Sequence, residues 1–227
     1  MRALIVLSLQ DAKELVARGV ATTLNLKNTK KKVYIAYGST NELLLHELGY
    51  KVEGYYNGHV SKKELRSYSQ RADIVVLNGS IDSFVQDMSS DDIVVKGANA
   101  LSYENGAYQA GVVAASENGG TFGSVVMKAS CVGAQLIIPV SHEKLVPKLY
   151  DGVYTQSSFD RCMGLPVAMF RFHYGKIYTE IEALYDIYNL KAKLYFAGGL
   201  GEMQGALSFV VEGKEEDVLK VIQDYDG

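Results

Sequence analysis

Four short runs, Val33-Tyr34-Ile35-Ala36, Ile74-Val75-Val76-Leu77, Ile93-Val94-Val95 and Leu136-Ile137-Ile138, are apolar at every successive position and end in polar or glycine-containing turns. A strand with one wet face alternates apolar and polar residues, so runs without alternation belong to strands buried on both faces, as in a parallel sheet. Helical patterns lie between and around them. Residues 9–20 set Leu9, Ala12, Leu15, Val16 and Val20 at helical spacing, which predicts an amphipathic helix ending near Gly19. A second helix carries Leu43, Leu44, Leu45 and Leu48, and a third is predicted over 122–134. This alternation predicts an α/β fold with an open, mostly parallel sheet covered by helices on both faces, spanning residues 1–150.

Residues 142–163 lack a clear period, and the domain boundary is expected near 150. Beyond it the pattern reads strand (166–174), helix (179–190), strand (191–199), strand (205–213) and helix (214–225). That order predicts a smaller C-terminal ferredoxin-like α+β lobe within 151–227, either separate or packed on the main sheet.

Composition narrows the classes of function. Hydrophobic residues make up 48% of the chain and Pro only 3 positions, which excludes long disordered segments. A net charge of −3 supplies no overall basic field, so a general nucleic-acid partner is not expected, whereas a local anion pocket is allowed. The apolar run Ala3–Leu7 is too short for a signal-peptide core, and no stretch approaches the roughly 20 apolar residues of a membrane span. A soluble, cytoplasmic chain with no membrane partner is expected. Cys131 and Cys162 sit in no CxxC or Cys/His pattern and read as buried thiols, while His59 and His173 lack partners at metal-ligand spacing. Neither a metal nor a cofactor is expected.

Candidate site residues gather at turns after the apolar runs. Gly38, Ser39, Thr40 and Asn41 lie between a strand and a helix, where unpaired backbone N–H groups and the positive end of the helix dipole attract phosphate or carboxylate. Ser39 or Thr40 acting only as a helix cap is the plain alternative. Lys96, at the carboxyl end of a central strand and followed by Gly97 and Asn99, stands where open sheets bind ligands. It can hold an anion, stabilise an enolate or act as a nucleophile, or else simply reach solvent at a loop mouth. Gly119, Gly120 and Thr121 precede a helix and form a second candidate anion cradle, or an ordinary turn. His142 and Glu143 follow the last apolar run and are candidates for proton transfer, unless they open a solvated helix. The glycine-rich segment 197–206 joins two strands and reads as a hairpin.

On Gly38-Ser39-Thr40 with a helix ending at Leu48-Gly49, and on DIVVKGANAL (92–101) followed by a glycine-rich segment, the chain resembles the superfamily of ribose-5-phosphate isomerase, glucosamine-6-phosphate deaminase and the CoA transferases. The resemblance covers roughly residues 9–145 and implies an anion pocket on that superfamily's fold. Lys96 and Asn99 stand where the isomerase pattern has aspartates, and the segment Gly119–Ser124 supplies no Glu-Lys pair. The groups that the isomerase proton transfer depends on are therefore missing. The leading expectation is an isomerase-like or transferase-like enzyme acting on a phosphorylated or other anionic metabolite, with Lys96, Asn99, His142 and Glu143 carrying the chemistry. The alternatives are a non-catalytic metabolite sensor on the same fold and an interaction protein that forms a homo-oligomer.

Overall fold

The computed structural model describes residues 1–68, 73–80, 85–149 and 155–226. Ala72, the first residue of one expected strand, and the expected boundary near 150 lie outside the described residues. The chain opens with β1 (Arg2–Leu7), α1 (Leu9–Thr23), β2 (Val33–Ile35) and α2 (Ser39–Glu47). A hairpin of β3 (Gly58–Ser61) and β4 (Glu64–Ser67) precedes β5 (Val75–Leu77) and β6 (Ile93–Val95). Next come β7 (Ala100–Glu104), β8 (Ala107–Ala114), a π-helical turn at Phe122–Val126 running into α3 (Met127–Val132), and β9 (Gln135–Pro139). The last third holds β10 (Ala168–Arg171), β11 (Lys176–Tyr178), α4 (Glu180–Tyr188), β12 (Lys191–Gly198), β13 (Ala206–Glu212) and α5 (Glu215–Tyr225).

The uninterrupted apolar runs form the central five-stranded sheet, ordered β11-β9-β6-β2-β5. Its first three pairings are parallel and β5 closes the edge antiparallel to β2. Every residue of β2 and β6 is buried, which is why those runs do not alternate. Val33, Ile35, Ile93, Val95 and Ile137 face one core, together with apolar residues of α1, α2, α4, α5, β1 and β13. Tyr34, Val94, Leu136 and Ile138 face a second core built from Leu101, Ala110, Val112, Phe122, Val125, Ala129 and Phe172.

That second layer corrects the expected architecture. Instead of one open, mostly parallel sheet with helices on both faces, the described residues form four separate sheets around a mixed centre. The face expected to carry helices alone is packed against an antiparallel sheet ordered β10-β8-β7. Its cause is a hairpin over 100–114, turned by Asn105 and Gly106, both at positive φ (53° and 83°), as a two-residue hairpin turn requires. The ferredoxin-like lobe is corrected as well. The antiparallel sheet ordered β1-β13-β12 takes its third strand from the N-terminus, and β11 joins the central sheet beside β9.

Two local expectations also change. Helix α1 runs past Gly19 to Thr23, because Gly19 serves packing and not termination. A Cβ at Gly19 would lie 2.7 Å from the Tyr178 hydroxyl and 2.8 Å from Ala183 Cβ, so the glycine lets α1 and α4 approach closely. Cys131 and Cys162, expected to be buried, are both exposed free thiols. Among the described residues, no helix is long and apolar enough to cross a membrane.

Candidate functional site

Strands β2 and β6 lie side by side and end together, so the turns that follow them, Tyr37-Gly38 and Lys96-Gly97, open into one space. That space is a cleft of about 770 Å³. The first turn of α2 lines one side, and the end of β8 with Gly119, Gly120 and Thr121 lines another. The β3–β4 hairpin contributes a further wall with His59 and Arg66, and Lys144 reaches in from the segment after β9. Gly38, Ser39, Thr40, Asn41, Lys96, Gly97, Asn99, Gly119, Gly120 and Thr121 thus share one lining, although the chain spreads them over more than eighty positions. His142 and Glu143 are not in it.

Helix α2 begins without a cap. Gly38 occupies the cap position and no side chain bonds to the first turn, so Ser39 and Thr40 are not helix caps. The first intrahelical bond is Glu42 N–H to Gly38 O at 2.8 Å, which leaves the N–H groups of Ser39, Thr40 and Asn41 ahead of it. By contrast, α1 and α4 start on complete capping boxes at Ser8 and Thr179. Of these three helices, the one that opens onto the cleft keeps its dipole end available, and α5, which also starts without a side-chain cap, contributes no residue to the lining. A Cβ at Gly38 would touch only Asn41, at 3.9 Å, so the cleft side of the turn is open.

Asn41 ties the two strand ends together. Its side chain is fully buried, and Nδ2 donates to Ala36 O (2.7 Å) and Val95 O (3.3 Å), while Oδ1 is buried with no partner among the described residues. The amide thus satisfies the Ala36 carbonyl at the end of β2 and adds a second, longer bond to the Val95 carbonyl, which already accepts the Ala36 N–H at 2.9 Å.

Lys96 is the central feature. The residue is only 8% exposed, and among the described residues its amine makes no hydrogen bond or ion pair. Its backbone is held by a bond from N–H to Ile137 O at 3.0 Å, which fixes the residue at the strand end. Burial without a counter-charge disfavours the ammonium form and lowers the pKa from 10.5 to about 8. Among the described residues the lining contains no Asp or Glu, whereas Lys96, Arg66, Lys144 and His59 all contribute to it. Arg66 is paired with Glu64, and Lys144 lies 3.6 Å from Glu143, whereas Lys96 has no carboxylate partner among the described residues.

The remaining candidates have structural surroundings. Asn99 Oδ1 accepts the Val113 N–H at 3.1 Å, which joins the start of the 100–114 hairpin to its return strand. The left-handed glycines Gly119 (φ 71°) and Gly120 (φ 56°) turn the chain into the π-helical segment. Behind them, a Cβ at Gly123 would lie 2.0 Å from Asn118 O, so no other residue can follow that turn. Helical π-turns are frequent beside ligand sites. His142 is buried, with Nδ1 at 2.5 Å from Glu180 Oε2 and Nε2 at 2.8 Å from the Tyr108 hydroxyl. Glu180 also accepts the His142 backbone N–H through both oxygens, and burial pushes the Tyr108 phenol up to about 12. Glu143 is bound to Lys13 at 3.0 Å.

The β3–β4 wall was not visible as part of a site in the sequence. Among the described residues His59 Nδ1 is buried without a partner, beside the rings of Tyr56 and Tyr68. The hairpin is pinned from outside by Leu65, whose N–H donates to Met163 O (3.0 Å) and whose O accepts from Leu165 N–H (2.9 Å). Among the described residues, no group of three or more His, Cys, Asp or Glu is gathered as a metal site. Compared with known proteins, the chain matches no family model, no curated protein and no solved structure.

Proposed function

We propose that the chain binds a small phosphorylated or carboxylate-bearing metabolite in this cleft. The observation that carries the reading is Lys96, a buried and unpaired amine in a lining with no carboxylate among the described residues. An isolated buried charge is costly, and an anionic ligand removes that cost by serving as its partner. The uncapped start of α2 offers backbone N–H groups to the anionic group, and the Gly120-Thr121 part of the second turn lines the same cleft, the Gly119 N–H being taken by Ser116 O at 2.9 Å. Gly38-Ser39-Thr40 and the end of DIVVKGANAL, the stretches on which the resemblance to the sugar-phosphate isomerase and CoA-transferase superfamily rests, both reach the lining, which supports the anion-binding part of that resemblance, while Lys96 and Asn99 are its departures from the isomerase pattern.

Among the described residues the lining offers no carboxylate, the usual base of an isomerase, and this favours a metabolite sensor as the second reading. Calorimetric titration with ribose 5-phosphate and with ribose, on wild type and Lys96→Met, tests the anion reading. A charge-assisted hydrogen bond contributes about 1.5 to 3 kcal/mol, so Lys96→Met is expected to weaken ribose 5-phosphate by roughly 10- to 100-fold. Equal affinity for the two sugars, or for the two proteins, would contradict the proposal.

A further inference from the structure

Lys96 shares the lining with two residues that carry buried, unsatisfied polar atoms. Among the described residues, Asn41 Oδ1 and His59 Nδ1 are buried without a hydrogen bond. Lys96 is followed by two residues without bulk, Gly97 and Ala98. An amine and an imidazole on residues that line one space are groups that carbonyl addition uses: a nucleophile and a proton carrier.

We propose that Lys96 forms an imine with its ligand, so that the cleft takes small aldehydes, ketones or 2-oxo acids that also carry a phosphate or carboxylate. The inference rests on the anion-binding reading, which supplies the group that holds the carbonyl compound in place. The neutral amine adds to the carbonyl carbon, a C–N bond forms, and the π electron pair moves to oxygen. A proton passes from nitrogen to that oxygen to give a carbinolamine. Protonation of its hydroxyl then breaks the C–O bond and releases water, leaving a protonated imine. One amine, one carbonyl and one proton give one iminium and one water, with no oxidant or reductant. His59 carries the protons, since an imidazole can give and take them in turn. The iminium keeps a positive charge in the cleft, so the ligand's anionic group retains its partner.

The lowered pKa of Lys96 agrees with this chemistry. With a pKa of about 8, roughly a quarter of the amine is neutral at pH 7.5, against about one part in a thousand for an ordinary lysine.

The test is reductive trapping at pH 7.5 with sodium cyanoborohydride, using dihydroxyacetone phosphate and pyruvate as probes and dihydroxyacetone as the uncharged control. The expected result is one adduct per chain by intact mass, mapped to Lys96 and formed at least tenfold faster with a charged probe than with dihydroxyacetone. In Lys96→Met that adduct is absent. His59→Gln slows trapping severalfold, and an unchanged rate would remove His59 from the scheme. Calorimetric binding of sulfate to the same preparations separates the two claims. Sulfate binding without a Lys96 adduct overturns the imine and leaves the anion site standing, while failure of both overturns both. Adducts spread over surface lysines at the same rate in wild type and Lys96→Met also overturn the imine.

Discussion

Replacing Lys96 by Met is predicted to make the unliganded protein more stable. The side chain is buried without a partner, and its pKa falls from 10.5 to about 8 because the fold disfavours the ammonium form. At about 1.4 kcal/mol per pKa unit, the charged form costs the fold roughly 3 kcal/mol at pH 7. Met keeps most of the length and volume of the lysine stem and removes the charge. The expected gain at pH 7 is therefore about 2 to 3 kcal/mol, or a rise in Tm of roughly 5 to 10 °C for a chain of this length. The pH dependence fixes the sign. Below pH 8 both folded and unfolded lysine are protonated, and the full penalty is present. Between pH 8 and 10.5 the unfolded chain binds more protons at this site than the fold, so the lysine protein gains stability as pH rises and the advantage of Met shrinks to near zero. Urea unfolding of both proteins at pH 7 and pH 10.5 measures this, and taking the difference between them cancels the titration of other groups. If Lys96→Met were less stable than wild type at pH 7, with a gap that did not change with pH, Lys96 would have a partner and the reasoning would fail.

Three further changes test the supporting structure. Asn41→Leu leaves the Ala36 carbonyl without its donor, while the Val95 carbonyl keeps the Ala36 N–H, and should cost roughly 1 to 3 kcal/mol in urea unfolding, with loss of anion binding in the same variant. Gly19→Val drives a side chain into Tyr178 and Ala183 and should destabilise by about 2 kcal/mol or more, while an unchanged Tm would show that α1 and α4 can part. Glu180→Ala strips the buried His142 of its carboxylate and should cost roughly 3 kcal/mol without changing sulfate affinity, because this pair lies outside the cleft lining.

The elements that read clearly in the sequence are those whose own residues decide their environment. Val33–Ile35 and Ile93–Val95 are apolar throughout and form fully buried strands, and Ser39–Glu47 follows its strand as the expected helix. The hairpin over 100–114 was missed although Asn105-Gly106 is a strong turn signal, because the preceding run merges with β6 and hides the break at Gly97-Ala98-Asn99. The β3–β4 hairpin had no such signal. Its turn is made by Lys62 and Lys63, both in the left-handed region (φ 50° and 62°), which neither residue favours. His142 looked free in sequence because its partner, Glu180, lies 38 positions further on, across a contact that only the fold creates. For the cleft, the strand-end turns were legible because ligand-binding turns follow parallel strands, whereas His59, Arg66 and Lys144 arrive from segments with no motif of their own.

The central claim is that Lys96 is a cation waiting for an anion, and its most direct test is the affinity for sulfate between pH 7 and 9.5, a range in which sulfate itself does not titrate. Binding must raise the pKa of Lys96 from about 8, so affinity should fall as pH rises through that value in wild type, and Lys96→Arg should bind with no such fall. A sulfate affinity that is the same at pH 7 and pH 9.5 in wild type would contradict the account.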